Sequence, residues 1–186
     1  MLGSHLESRS GKFLVAGGAG LLLGLLANPL RKLAVQAPTM LKRRWDEALA
    51  AEHTATLALI DLIEATDEDD TGRRSVHLAQ LKHALGKHAF QEENTVYAMM
   101  RERGLLAPAQ MLNEEHGEIK RLLFELTEIS KSDPQWIRKI YELRGLLEEH
   151  MAEEENEHFP RLRNSLSKDE NEHLSVAMNK EGLKVA

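Results

Sequence analysis

Two short stretches of this chain, HAFQEEN at 88–94 and HMAEEEN at 150–156, each place a histidine four residues ahead of a glutamate. Each lies in a run whose leucines recur every three to four residues, on the side that the leucines occupy. A helix that carries imidazole and carboxylate on its apolar stripe must bury both. A buried carboxylate without a partner is strongly destabilising. Whatever fold forms has to bring partners to both stretches at once.

The same periodicity predicts four long helices. The first runs about 39–66, with Leu41, Trp45, Leu49, His53, Leu57 and Ile60 on one stripe. The second runs about 73–103, with Leu78, Leu81, Leu85, His88, Glu92 and Met99 near one face and Gly104 as its stop. The third covers about 109–130 through Leu112, His116, Ile119, Leu123 and Leu126. The fourth covers about 134–165 through Trp136, Ile140, Leu143, Leu147, His150 and Glu154, with Asp133 as cap and Pro134 in its first turn. SKDE at 167–170 has capping-box spacing and predicts a short fifth helix ending near Gly182. Nothing alternates as a strand would. Short loops make neighbouring helices antiparallel, so the expectation is an all-α, up-down-up-down four-helix bundle. It divides into an apolar and basic segment at 1–37, the bundle at 38–166, and a short C-terminal helix and tail at 167–186.

The bundle is internally duplicated. His53 precedes His88 by 35 residues, and His116 precedes His150 by 34. Displaced by 62 or 63, AEHTATLALIDLI overlays EEHGEIKRLLFEL, and HAFQEENTVYAMMR overlays HMAEEENEHFPRLR. Two hairpins related by a pseudo-two-fold would gather four histidine-bearing faces around one centre. Residues four apart share a helix face. His88 with Glu92, and His150 with Glu154, can each aim two donors at one spot, while His53 and His116 add one imidazole apiece. A pair of cations would partner the two carboxylates. Four imidazoles and two bridging carboxylates make eight bonds, and a six-coordinate pair needs about twelve, so open positions remain. Nitrogen and oxygen donors with open positions suit iron or manganese better than structural zinc.

The succession of His53, His88 with Glu92, His116, and His150 with Glu154, followed by ENEHFPRL, resembles the hemerythrin-like (HHE cation-binding) family over about 45–163. The resemblance implies a four-helix bundle with two iron ions, an oxo or hydroxo bridge, and a small oxidant as partner: oxygen, nitric oxide or peroxide. Manganese or zinc are the alternative metals. Oxygen carriers of that family have a further histidine four residues on in the third helix, where this chain has Lys120. They also have an aspartate five residues after the last histidine, where this chain has Glu155 behind Glu154. The closer likeness is to the bacterial subgroup with two His-x-x-x-Glu motifs. It favours redox reaction, sensing or iron handling over reversible oxygen carriage. Peroxidase, catalase-like or oxidase turnover is open, as are sensing and metal storage without turnover.

Other residues receive plainer readings. On a regular helix His158 lies about 80° round from His150, at the boundary of the core or in contact with the ligands. Glu93, Glu153 and Glu155 lie off the stripe and are assigned to solvent, as are His77, His83 and His173. Tyr97 and Tyr141 are assigned to core packing. Cysteine is absent, which excludes disulfides and thiolate sites. The formal net charge of −6 conceals +6 over residues 1–44 and −12 over the remainder. With aromatics at 4%, an acidic bundle is a poor nucleic-acid surface. The uncharged run FLVAGGAGLLLGLLA at 13–27 would reach about 22 Å as a helix, short of a ~30 Å hydrocarbon core. Arg31, Lys32, Lys42, Arg43 and Arg44 follow it. It is read as an anchor on the cytoplasmic face of an inner membrane, with packing in an oligomer or a cleaved signal as alternatives.

Overall fold

The computed structural model describes residues 44–186, and the apolar run at 13–27 lies outside them. The described residues are helical from end to end. α1 spans Trp45–Glu64 and α2 Thr71–Gln91. α2 passes without a break through a π-turn, Glu92–Val96, into α3, Tyr97–Glu102. α4 spans Leu106–Glu128 and α5 Pro134–Glu153; a second π-turn, Glu154–His158, leads into α6, Phe159–Ser165. α7 covers Lys168–Val185. Four rods result: α1, α2 to α3, α4, and α5 to α6. Among the described residues no helix is long and apolar enough to cross a membrane.

Local chemistry sets the ends. Asp46 and Glu47 complement the positive end of α1. Asp70 accepts from the Arg73 backbone N–H, and Asp133 from that of Gln135 ahead of Pro134. Gly104, at φ +77°, takes the left-handed conformation that turns the chain from α3 into α4. Ser167 and Glu170 form a complete capping box. α7 is longer than the short helix expected. It runs past the buried Gly182 to Val185, because no left-handed residue stops it there.

The rods pack α1 on α2, α4 on α5 and α1 on α5, whereas the backbones of α2 and α4 approach less closely. The apolar interior falls into two blocks. One holds Ile60, Ile63, Leu81, Leu126, Trp136 and Ile140 among others. There the Trp136 indole N–H donates to Leu126 O at 3.0 Å, under the Arg74 guanidinium 5.2 Å from the ring centre. The other block gathers Trp45, Leu49, Tyr97, Met100, Leu112 and Phe159 beneath α7. Trp45 ties α7 down: its backbone N–H donates to Ser175 Oγ and its indole N–H to Asn171 Oδ1. Between the blocks lies the polar level of His53, His88, Glu92, His116, His150 and Glu154. Fully burying a large aliphatic side chain contributes about 1.5–3 kcal/mol. Two such blocks offset a polar layer that the fold could not otherwise carry.

The π-turns correct the stripe read from sequence. A π-turn holds one more residue than an α-turn, so everything after it rotates by about 100° relative to a regular helix. Met99 was placed on the buried face, yet Met100 is the residue fully buried there. The same rotation swings His158 from the boundary into the interior, 4% exposed. Tyr141, assigned to the core, is 53% exposed.

Candidate metal centre

All six side chains singled out by the duplication are buried, 0–3% exposed, and their donor atoms converge. They form two clusters with donors within 4.8 Å of one another: His53, His88, Glu92 and Glu154, and then Glu92, His116 and His150. Glu92 belongs to both. Its Oε2 lies 3.1 Å from His88 Nε2 and 3.4 Å from His116 Nε2. Glu154 Oε2 lies 3.3 Å from His53 Nε2 and 3.4 Å from His150 Nε2. Each carboxylate therefore spans from one half of the bundle to the other. The Nε2 atoms of His53 and His88 face each other at 3.0 Å.

Behind each imidazole stands a carboxylate that the sequence reading did not find. His53 Nδ1 meets Glu155 at 2.7 Å, His88 Nδ1 meets Glu52 at 3.2 Å, His116 Nδ1 meets Glu93 at 2.9 Å, and His150 Nδ1 meets Glu115 at 2.7 Å. An acceptor at Nδ1 fixes the tautomer that leaves Nε2 free to bind metal. Glu93 and Glu155, assigned to solvent, are instead partly exposed outer partners. The signal was in the duplication. Glu52 and Glu115 each precede the histidine of their half, and Glu93 and Glu155 each follow the glutamate. Two of the four are further tied to lysine: Glu52 to the buried Lys87 and Glu93 to Lys120.

The electrostatics match a centre built for positive charge. Burial would lower the pKa of His88, but the charges and hydrogen bonds of Glu92 and Glu52 prevail and hold it well above the ordinary value. Burial likewise opposes protonation of His116, and Glu92 and Glu93 overcome it, raising its pKa to about 9. Glu92 would be pushed up by burial, yet His88 and His116 hold it well below the usual carboxylate range. Hydrogen bonds from His116 and Lys120 lower Glu93 to about 2.

Tyr97 also joins the site. Its ring packs in the core, but its hydroxyl donates to Glu154 Oε1 at 2.6 Å and lies 3.2 Å from His116 Nε2. Burial and the nearby carboxylates push its pKa well above the ordinary value, so it stays a neutral donor. The duplication places Phe159 opposite it, stacked 6.2 Å from the His53 ring. The two ends of the centre thus differ by one hydroxyl. His158 forms no hydrogen bond to any of the six; among the described residues its Nδ1 has no hydrogen-bond partner and lies 4.0 Å from a Glu157 oxygen. His77 is exposed and bonded to Gln80, and His173 is exposed. His83 is half-buried.

The donor set fits a metal pair. Two ligand atoms at right angles on bonds of ~2.1 Å stand about 3.0 Å apart, and the neighbouring donors here are separated by 3.0–3.4 Å. Glu92 Oε1, Glu154 Oε2 and His150 Nε2 are buried with no hydrogen-bond partner, as atoms reserved for a cation would be.

Comparison with known proteins agrees with this geometry. The hemerythrin HHE cation binding domain matches residues 46–162. The chain is similar to a DNA nickase of Nostoc sp. (strain PCC 7120 / SAG 25.82 / UTEX 2576), 29% identical over 109 residues. That match takes in 59% of this chain and 31% of the nickase, so the chain spans about a third of that curated relative's length. No solved structure matches. A family match across most of the bundle, on the helices that bring these buried histidines and glutamates together, makes the chain a member of the hemerythrin HHE cation-binding family and a metal-binding protein.

Proposed function

We propose that this protein holds two iron ions between its four rods and binds or reacts with a small oxidant: dioxygen, nitric oxide or peroxide. The observation that carries this reading is the pair of nitrogen-and-oxygen donor clusters sharing Glu92. Iron bound there would supply one-electron redox chemistry. The residues do the rest. Glu92, common to both donor clusters, and Glu154, in the first, would supply the carboxylate ligands. The four outer carboxylates orient the imidazoles. The apolar blocks close the two ends of the polar level against water. Tyr97 holds a proton at Glu154 Oε1, where charge can change without that proton leaving for solvent.

Lys120 stands where oxygen carriers of the family have a further histidine. Its side chain is 57% exposed and paired with Glu93 at 2.6 Å. With that donor missing, an oxidant has room to bind and react. The iron-loaded, reduced protein is expected to be oxidised within one exposure to air or stoichiometric peroxide, as read by its optical spectrum. A stable adduct that releases oxygen on degassing, over repeated cycles, would refute this. A metal sensor or store is the second reading. It predicts a single oxidation event with no continued peroxide consumption, whereas an enzyme consumes peroxide over many turnovers. DNA nicking stays with the larger relative, since the −12 balance over residues 45–186 repels a polyphosphate.

A further inference from the structure

The duplication relates the α1–α5 face to the α4–α2 face, yet the backbones pack closely only on the first. The residues at matching positions explain the difference. On the first face Arg144 of α5 bridges to Asp61 at 2.7 Å and Glu64 at 3.0 Å on α1, and Glu148 of its own helix steadies it at 2.8 Å. On the other face their counterparts are Lys82, Phe124, Thr127 and Gly86. The charged clasp has become a lysine, a phenyl ring, a hydroxyl and a glycine. Lys82 Nζ donates to Thr127 Oγ1 at 2.8 Å, and no carboxylate among the described residues lies within 4.0 Å of it.

Between α2 and α4 there is a cleft of about 240 Å³. Leu85, Ile119, Leu123 and Leu147 form its walls, and His88, His116 and His150 its floor. Lys82 and Lys120 stand among its lining residues, with Phe124 65% exposed. Apolar cavities of about 150 Å³ already accept a benzene-sized molecule. This cleft is therefore far larger than dioxygen or peroxide requires. Apolar walls with a cation lacking a carboxylate partner suit a molecule with an apolar body and one negative head.

From this we infer that the α2–α4 cleft binds a small organic carboxylate of roughly eight carbons, its head at Lys82 and its apolar body against the imidazole floor. This binding stands whether or not the centre turns over an oxidant. Gly86 offers a clean plug: a Cβ built there meets nothing within 4 Å, so a larger side chain can grow into the cleft. Leucine also favours the helix more than glycine does.

The test is calorimetric titration of the metal-loaded, full-length protein with octanoate, 1-octanol and acetate. Octanoate is expected to bind one per chain with a dissociation constant below about 1 mM. Acetate should give no saturable heat, and octanol should bind several-fold more weakly. Gly86→Leu should weaken octanoate and octanol at least tenfold. Lys82→Met should weaken octanoate about tenfold and leave octanol unchanged. The inference is overturned if octanoate gives no saturable heat, or if Gly86→Leu, folded by circular dichroism, binds it as the wild type does. It is equally overturned if Lys82→Met leaves octanoate binding intact.

Discussion

Glu92→Gln is expected to lower metal retention at both positions, and Glu154→Gln at one. Glu92 is common to the two donor clusters, while Glu154 completes the first. Glutamine has the shape of glutamate but removes the charge that partners the cations. Loss of a bridging carboxylate should weaken affinity by more than about 100-fold, beyond what loss of an outer partner costs. Elemental analysis after loading and desalting should find two metals per chain in the wild type. Glu154→Gln should retain about one, and Glu92→Gln fewer. Because a neutral side chain is easier to bury than a charged one, the metal-free variants should still melt cooperatively. Loss of metal would then not be loss of fold. His77→Ala should load normally. Two metals in both glutamine variants would sink the assignment.

The second large effect concerns an outer carboxylate. Glu115 accepts from His150 Nδ1 at 2.7 Å, and among the described residues no lysine bridges to it, unlike Glu52 and Glu93. Its oxygen accepts the Nδ1 proton, and its position fixes the ring's orientation. Glu115→Ala removes both and should cost about 10–100-fold in affinity for the ion on the His116–His150 side. Glu115→Gln keeps an acceptor for the Nδ1 proton and should lose less. Competition with a chelator of known affinity would rank the three proteins. Equal affinity in all three would mean that the contact orients nothing.

Much of this was legible beforehand because it is periodic. Four stripes of apolar residues specify four helices, and the repeat of His and His-x-x-x-Glu at matched separations specifies where they meet. What escaped was not periodic. A π-turn adds one residue without leaving a compositional mark, so Met99 took the place of Met100 and His158 was left at the boundary. The outer carboxylates escaped for another reason. Glu93 and Glu155 sit off the stripe and look solvated, since pairing with an imidazole on a neighbouring rod leaves them partly exposed. Tyr97 packs in the core as assigned, but its hydroxyl also reaches the site.

The crossed sharing of carboxylates also sets an order of events during synthesis. The first hairpin to leave the ribosome carries His53, His88 and Glu92, three of the four donors of the first cluster. Its fourth donor is Glu154, and the acceptor that orients His53 is Glu155, 102 residues further along. The second cluster depends in turn on Glu92 from that early hairpin. Neither half carries a complete donor cluster by itself, so a nascent chain has both clusters complete only when the final rod has docked. With metal held by these clusters, secure uptake would wait for the end of folding, and a loaded molecule would be one whose two halves had already met.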